Sequence, residues 1–180
     1  MVTTLAIASL LAMKVGDPSA GSVYDFTMKN IDGKPTSLRK FRNKALLIVN
    51  VASKCGNTPQ YEQLEAVYKK YEKSGLVVLG FPANNFGSQE PGTDAEIKTF
   101  CTSNYNVSFP MFSKISVKGD DIAPLYKWLL AASESTTDVD WNFAKFVVSR
   151  DGKTVKRFPA KTKPDSPEVV AALEAALKKS

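Results

Sequence analysis

A single α/β domain built on a mixed β-sheet is the fold class that the sequence predicts, on three observations. Ala45–Ala52 (ALLIVNVA) and Leu76–Phe81 (LVVLGF) are almost wholly apolar and rich in branched side chains, as in strands covered on both faces. Between them, apolar residues recur at helical spacing, so strand, helix and strand make a right-handed parallel unit. Two Asp-Gly pairs, Asp32-Gly33 and Asp151-Gly152, sit between strand-like segments and read as hairpin turns, which adds antiparallel pairing. A chain of 180 residues suits one domain rather than two.

Taken in order, Val23–Met28 and a short return beyond Asp32-Gly33 form the first hairpin. Ala45–Ala52 is the central strand. Thr58-Pro59 opens a helix through a hydroxyl cap and a proline at the first helical position, with Tyr61, Leu64, Val67, Tyr68 and Tyr71 on one face. Gly75 ends it, and Leu76–Phe81 returns as a buried strand. Asp94–Asn104 reads as a short helix with Ile97, Phe100 and Cys101 inward, Phe109–Val117 as a strand, and Ile122–Ala132 as a helix carrying Leu125, Trp128 and Leu129. Phe143–Val148 and Val155–Phe158 flank the second Asp-Gly turn. Ser166-Pro167-Glu168 starts a final amphipathic helix through Val169, Val170, Leu173 and Leu177, with Lys178 and Lys179 at its dipole end.

Composition narrows the function classes. Histidine is absent, which removes His bases, Cys-His dyads and most catalytic zinc sites. Two cysteines are too few for a disulfide scaffold or a four-cysteine metal site, and neither a metal nor a cofactor is expected. The net charge of +6 is spread along the chain, so no nucleic-acid partner is expected. No apolar run approaches the roughly 18 residues of a membrane span. Leu5–Met13 (LAIASLLAM) is uncharged and is followed by Lys14, Pro18 and the small residues Ser19, Ala20 and Gly21. Residues 1–21 read either as a secretory signal peptide, without the usual positive start, or as an N-terminal arm. Residues 22–180 are the domain. Its compartment is periplasmic or secreted in the first case and cytoplasmic in the second.

The chemistry centres on Cys55. It lies in the loop between a central strand and the following helix, where open α/β sheets bind ligands. A cysteine just ahead of a helix N-terminus faces unpaired N–H groups, and Lys54 adjoins it; both conditions favour the reactive thiolate. Without a histidine base, attack on a weak O–O or S–S bond suits such a thiolate better than acyl transfer. Residue 58 is threonine, so the segment is C-G-N-T and not C-x-x-C, which disfavours a dithiol oxidoreductase. Cys101, on the apolar face of its helix, reads as a small core residue or as a thiol that resolves an oxidised Cys55.

Four segments carry a wider likeness. NVASKCGNTPQY (Asn50–Tyr61), FPANNFGSQEPG (Phe81–Gly92), NYNVSFPMFSKI (Asn104–Ile115) and WNFAKFVVSRDG (Trp141–Gly152) occur in that order and resemble the four signature blocks of the glutathione peroxidase family. Such a set is far more specific than one short motif. The resemblance covers about Val23–Ala175. It implies a thioredoxin-like fold with an N-terminal hairpin and the reduction of hydrogen peroxide and organic hydroperoxides. By position Cys55 matches the peroxidatic residue, and Gln89, Trp141 and Asn142 match the polar residues around it. These three are hydrogen-bond donors that need not titrate and can stabilise charge developing on peroxide oxygens.

Cys101 matches the resolving cysteine of two-cysteine members. The resemblance therefore implies a Cys55–Cys101 disulfide reduced by a thioredoxin-like protein. The alternatives are glutathione as reductant with Cys101 idle, or a redox sensor that passes the disulfide to a partner. Two positions depart from the family's usual pattern: Ala83 stands where many relatives have cysteine, and Asn57 where an apolar residue is usual. Ser133–Asp140 is short beside relatives that assemble through an insertion there, which implies a monomer.

Overall fold

Residues 20–178 are described by the computed structural model; the leader-like segment over 1–21 lies outside them except for Ala20 and Gly21. β1 (Thr27–Lys29) pairs antiparallel with β2 (Pro35–Ser37), Met28 opposite Thr36. The Asn30 carboxamide closes the loop by accepting the N–H groups of Asp32 and Lys34, and Gly33 takes φ +75°, a conformation that a Cβ disfavours. The hairpin starts later than the sequence suggests. Val23–Asp25 is a 3-10 turn, closed by the Asp25 carboxylate on the Ser22 N–H and hydroxyl.

The main sheet is mixed. β3 (Ala45–Val51) pairs parallel with β4 (Leu76–Pro82) and antiparallel with β5 (Lys145–Val148), and β6 (Val155–Phe158) closes the far edge against β5. Four helices follow in chain order: α1 (Gln60–Tyr71), α2 (Asp94–Tyr105), α3 (Pro124–Ala132) and α4 (Pro167–Leu177). β3 has strands on both sides and helices on both faces, which is why its run alternates with no polar face. Leu47, Val49 and Val51 pack in one cluster with Tyr61 and Leu64 of α1, Ile97 and Cys101 of α2, and Leu173 of α4. Leu46 and Ile48 pack in the other with Leu125 and Leu129 of α3 and with Phe146. Each such buried aliphatic side chain contributes about 1.5–3 kcal/mol. No described helix is long and apolar enough to cross a membrane.

Three local expectations are corrected. Phe109–Val117 is not a regular strand and makes only isolated bridges, Met111 to Gly80 and Phe112 to Asn30. Its ladder cannot continue along one partner. Pro110 has no N–H to give, and the Ser113 and Ile115 N–H groups go to Lys29 and Pro82, on two different strands. Thr58 does not cap α1, which begins at Gln60 after a tight turn; its hydroxyl is used elsewhere, as described below. Ser166 occupies the N-cap of α4 but makes no capping bond, and its buried hydroxyl has no hydrogen-bond partner among the described residues.

Candidate active site

At the carboxyl end of β3 the chain turns sharply, and Cys55 sits in that turn. The Thr58 hydroxyl donates to the Ala52 carbonyl and accepts the Cys55 N–H, both at 2.9 Å. The Thr58 N–H returns to the Cys55 carbonyl at 3.0 Å. The hydroxyl thus staples the end of the strand to the turn and fixes the direction of the Cys55 side chain. Cys55 is 8% exposed, and its Sγ accepts the Asn57 N–H at 3.3 Å. It opens into a cavity of about 500 Å³ lined by Gly56, Asn57, Trp141 and Ala160, with Asp140 and Lys161 at the rim.

The other predicted site residues converge from two loops. Gly87 and Ser88 take successive left-handed conformations that turn the chain back, so Gln89 faces the sheet end and its carbonyl accepts the Lys54 N–H. Gln89 Oε1 accepts Asn142 Nδ2–H at 2.9 Å. Asn142 is fully buried. Its turn is held by Asn50 of β3, whose Nδ2 donates to the Trp141 carbonyl at 3.0 Å and whose carbonyl accepts the Phe143 N–H at 2.6 Å. Phe143 has φ +71°, a conformation costing an aromatic residue about 1–3 kcal/mol and typical of functional turns. Trp141 is 41% exposed, with its ring 5.4 Å from that of Phe86. Gln89 and Asn142 therefore meet as an amide pair, and Trp141 walls the cavity. None of the three side chains hydrogen-bonds Sγ in this arrangement; among the described residues only the Asn57 N–H does.

Cys101 is a different kind of thiol. Both cysteines are free, but Cys101 is 1% exposed on the inner face of α2. Burial pushes its thiol up to about 11, against a smaller downward pull from the neighbouring Tyr61 hydroxyl. That hydroxyl is itself buried without a well-formed hydrogen bond. Glu90, also buried, adds to the upward shift. α2 has a full capping box between Thr93 and Glu96 but buries only Ile97 and Cys101. Thr99 and Thr102 bond back to the Ala95 and Lys98 carbonyls, a pattern that weakens helices.

The family model for glutathione peroxidase matches residues 23–130. The chain belongs to the glutathione peroxidase family. It is 48% identical over 161 residues to the Hydroperoxy fatty acid reductase gpx1 of Synechocystis, covering 85% of this chain and 94% of that protein. It is 46% identical over 180 residues to the Thioredoxin/glutathione peroxidase BtuE of Escherichia coli, covering 88% and 98%. The crystal structure of T. cruzi GPX1 aligns with a TM-score of 0.68 at 34% identity, over 87% of this chain and 96% of that one. The mixed sheet with its flanking helices is the thioredoxin-like fold of this family, and the protein is a thiol peroxidase that reduces hydroperoxides. Among the described residues no group of three or more Cys, Asp or Glu side chains is placed to hold a metal ion.

Several residues near the site give no local signal in the sequence. Asn50 reads as a polar interruption of a strand, yet it ties β3 to the Asn142 turn across 91 positions. Lys145 reads as an ordinary surface lysine. It is fully buried, and its ammonium donates to the Phe143 carbonyl at 2.7 Å and the Ala160 carbonyl at 3.1 Å. Burial lowers its pKa to about 7, with Asp140 pulling the other way. The lysine joins the Asn142 turn to the Ala160 wall of the cavity.

Proposed function

We propose that Cys55 is the peroxidatic thiol, with Gln89, Trp141 and Asn142 assisting its oxidation, Cys101 resolving the product, and a thioredoxin-like protein as reductant. The observation that carries this reading is the placement of Sγ: it accepts a backbone N–H, faces an open cavity, and lies in a turn next to the Gln89–Asn142 amide pair. The Cys55 thiolate attacks one peroxide oxygen, the S–O bond forms as O–O breaks, and the leaving oxygen takes a proton to become water or an alcohol. Cysteine loses the two electrons that the peroxide gains, giving sulfenic acid. Neutral amide and indole donors serve here because charge moves from sulfur to oxygen within a small space. The Cys101 thiol then displaces the sulfenic hydroxyl as water and the disulfide forms.

For that second step Cys101 must leave its buried position, because a thiol held near 11 supplies almost no thiolate at neutral pH. The small buried face of α2 supports local opening, which is the mark of a low-stability unit. The relative named as a thioredoxin/glutathione peroxidase is compatible with either reductant. The burial of Cys101 favours a second reading, in which glutathione reduces Cys55 directly and Cys101 stays in the core. The enzyme is proposed to act as a monomer. Peroxide-dependent NADPH consumption, measured with thioredoxin and its reductase and in parallel with glutathione and its reductase, separates the two. Turnover confined to the thioredoxin arm supports the first reading, and turnover confined to the glutathione arm supports the second.

A further inference from the structure

Asn57 is the polar residue nearest the reacting sulfur whose side chain has no assigned part in the chemistry. Its backbone N–H is on Cys55 Sγ at 3.3 Å, and its side-chain Nδ2–H is on the Asn142 carbonyl at 3.3 Å. One residue thus touches the thiol and the turn that carries Asn142. It is half-buried and lines the cavity that Cys55 faces. The remaining walls divide by position. Trp141, Pro159 and Ala160 present largely apolar surface, while Asp140 and Lys161 are exposed at the rim, where water solvates them. Among the residues that line the cavity with Cys55, Asn57 carries the uncharged carboxamide, and it is half-buried where Asp140 and Lys161 are exposed.

We infer that Asn57 is a specificity-determining residue that biases the Cys55 cavity towards small, polar hydroperoxides, hydrogen peroxide foremost, and against bulky apolar ones. The inference rests on Cys55 being the peroxidatic thiol. Hydrogen peroxide carries an O–H at each end and can exchange hydrogen bonds with an amide while one oxygen meets Sγ. An alkyl hydroperoxide has only one O–H, and its apolar tail against the amide leaves a polar group poorly paired. Discrimination by one such wall is about tenfold or somewhat more.

The test is stopped-flow oxidation of the reduced enzyme by hydrogen peroxide and by cumene hydroperoxide. Asn57→Leu keeps the side-chain volume and the backbone N–H on Sγ but removes the amide. The ratio of the hydrogen peroxide rate constant to the cumene hydroperoxide rate constant is expected to fall about tenfold from wild type. Asn57→Ala, which adds no bulk, should lower the ratio in the same direction if Asn57→Leu does not fold. An unchanged ratio overturns the inference, and so does an equal fall with both peroxides, which would make Asn57 only a prop for the Asn142 turn. Cys55→Ser serves as the separate control: if it still consumes peroxide, the reading of Cys55 itself fails whatever Asn57 does.

Discussion

Cys55 and Cys101 belong to the same hydrophobic cluster and differ by only a few per cent in exposure, 8% against 1%. Burial alone therefore does not distinguish them. Cys55 sits in a turn, so its sulfur meets a free backbone N–H and a cavity. Cys101 sits mid-helix, where the backbone N–H groups are used by the helix itself, and its neighbours are the Tyr61 hydroxyl and the buried Glu90 instead. The same side chain is presented for reaction in one place and held as a protonated core residue in the other. What separates the two is the backbone around each thiol. Under the proposed mechanism the difference also orders the chemistry, because a thiol held near 11 supplies little thiolate until its surroundings change.

The largest effect should come from removing the presented thiol. Cys55→Ser should abolish peroxide reduction while leaving the fold intact, because a serine hydroxyl without a base is a poor nucleophile at neutral pH. Substantial peroxide consumption by the purified, folded variant would place the chemistry elsewhere. Cys101→Ser should split the two halves of the cycle. The first oxidation of Cys55 stays fast, turnover with thioredoxin is lost, and sulfenic or higher acids accumulate on Cys55 by mass. Normal thioredoxin turnover in Cys101→Ser, with no Cys55–Cys101 linkage in peptide maps of peroxide-treated wild type, would make Cys101 a core residue only.

Smaller losses should follow from the amide pair. Asn142→Ala or Gln89→Ala removes a donor worth roughly 1–3 kcal/mol to the charge that develops on oxidation. Stopped-flow rates should drop by roughly 5–150-fold, and the double variant should lose less than the product of the two because they form one unit. Oxidation at the wild-type rate in both single variants would leave the pair a structural tie between loops.

The parts of this comparison that local chemistry writes into the chain were legible in advance. β3 and β4 declare themselves by unbroken runs of apolar side chains, α1 and α4 by their 3.6-residue spacing, and the position of Cys55 at a strand end follows from both. The family likeness brought Gln89 and Asn142 to attention, and they meet at 2.9 Å. Illegible were the contacts made across long separations. Thr58 carries the usual sequence mark of a helix cap, but its hydroxyl goes to Ala52 and Cys55 because the turn needs it more than α1 does. Lys145 looks like any lysine until β5 is placed in the centre of the sheet. The Phe109–Val117 segment has strand composition, and only the arrangement of β1 and β4 on either side prevents a continuous ladder.

The smallest expected effect concerns Glu90, which lies between the Cys55 loop and α2. It is 1% exposed, and among the described residues neither carboxyl oxygen has a well-formed hydrogen bond. Burial raises its pKa, opposed by the neighbouring Ser53 hydroxyl and by the Lys114 and Lys54 ammonium groups. On the α1 and α2 side it faces Tyr61 and Cys101, and its charge raises both of them. A carboxyl whose folded pKa lies above the ordinary value of 4.5 keeps its proton longer folded than unfolded. The unfolded chain then binds fewer protons in that window, so stability falls as pH rises from about 4.5 through the raised value. Glu90→Gln keeps the shape and removes the titration. Urea midpoints measured from pH 4 to 8 should therefore diverge, with the variant gaining on wild type as pH rises. The Cys101 thiol acts with the same sign at higher pH: raised from 9.0 to about 11, it lowers stability in that range in both proteins. Parallel midpoints from pH 4 to 8 would mean that Glu90 is ionised at no cost in the folded protein, and the contrast between a presented and a protected thiol would then rest on Cys101 alone.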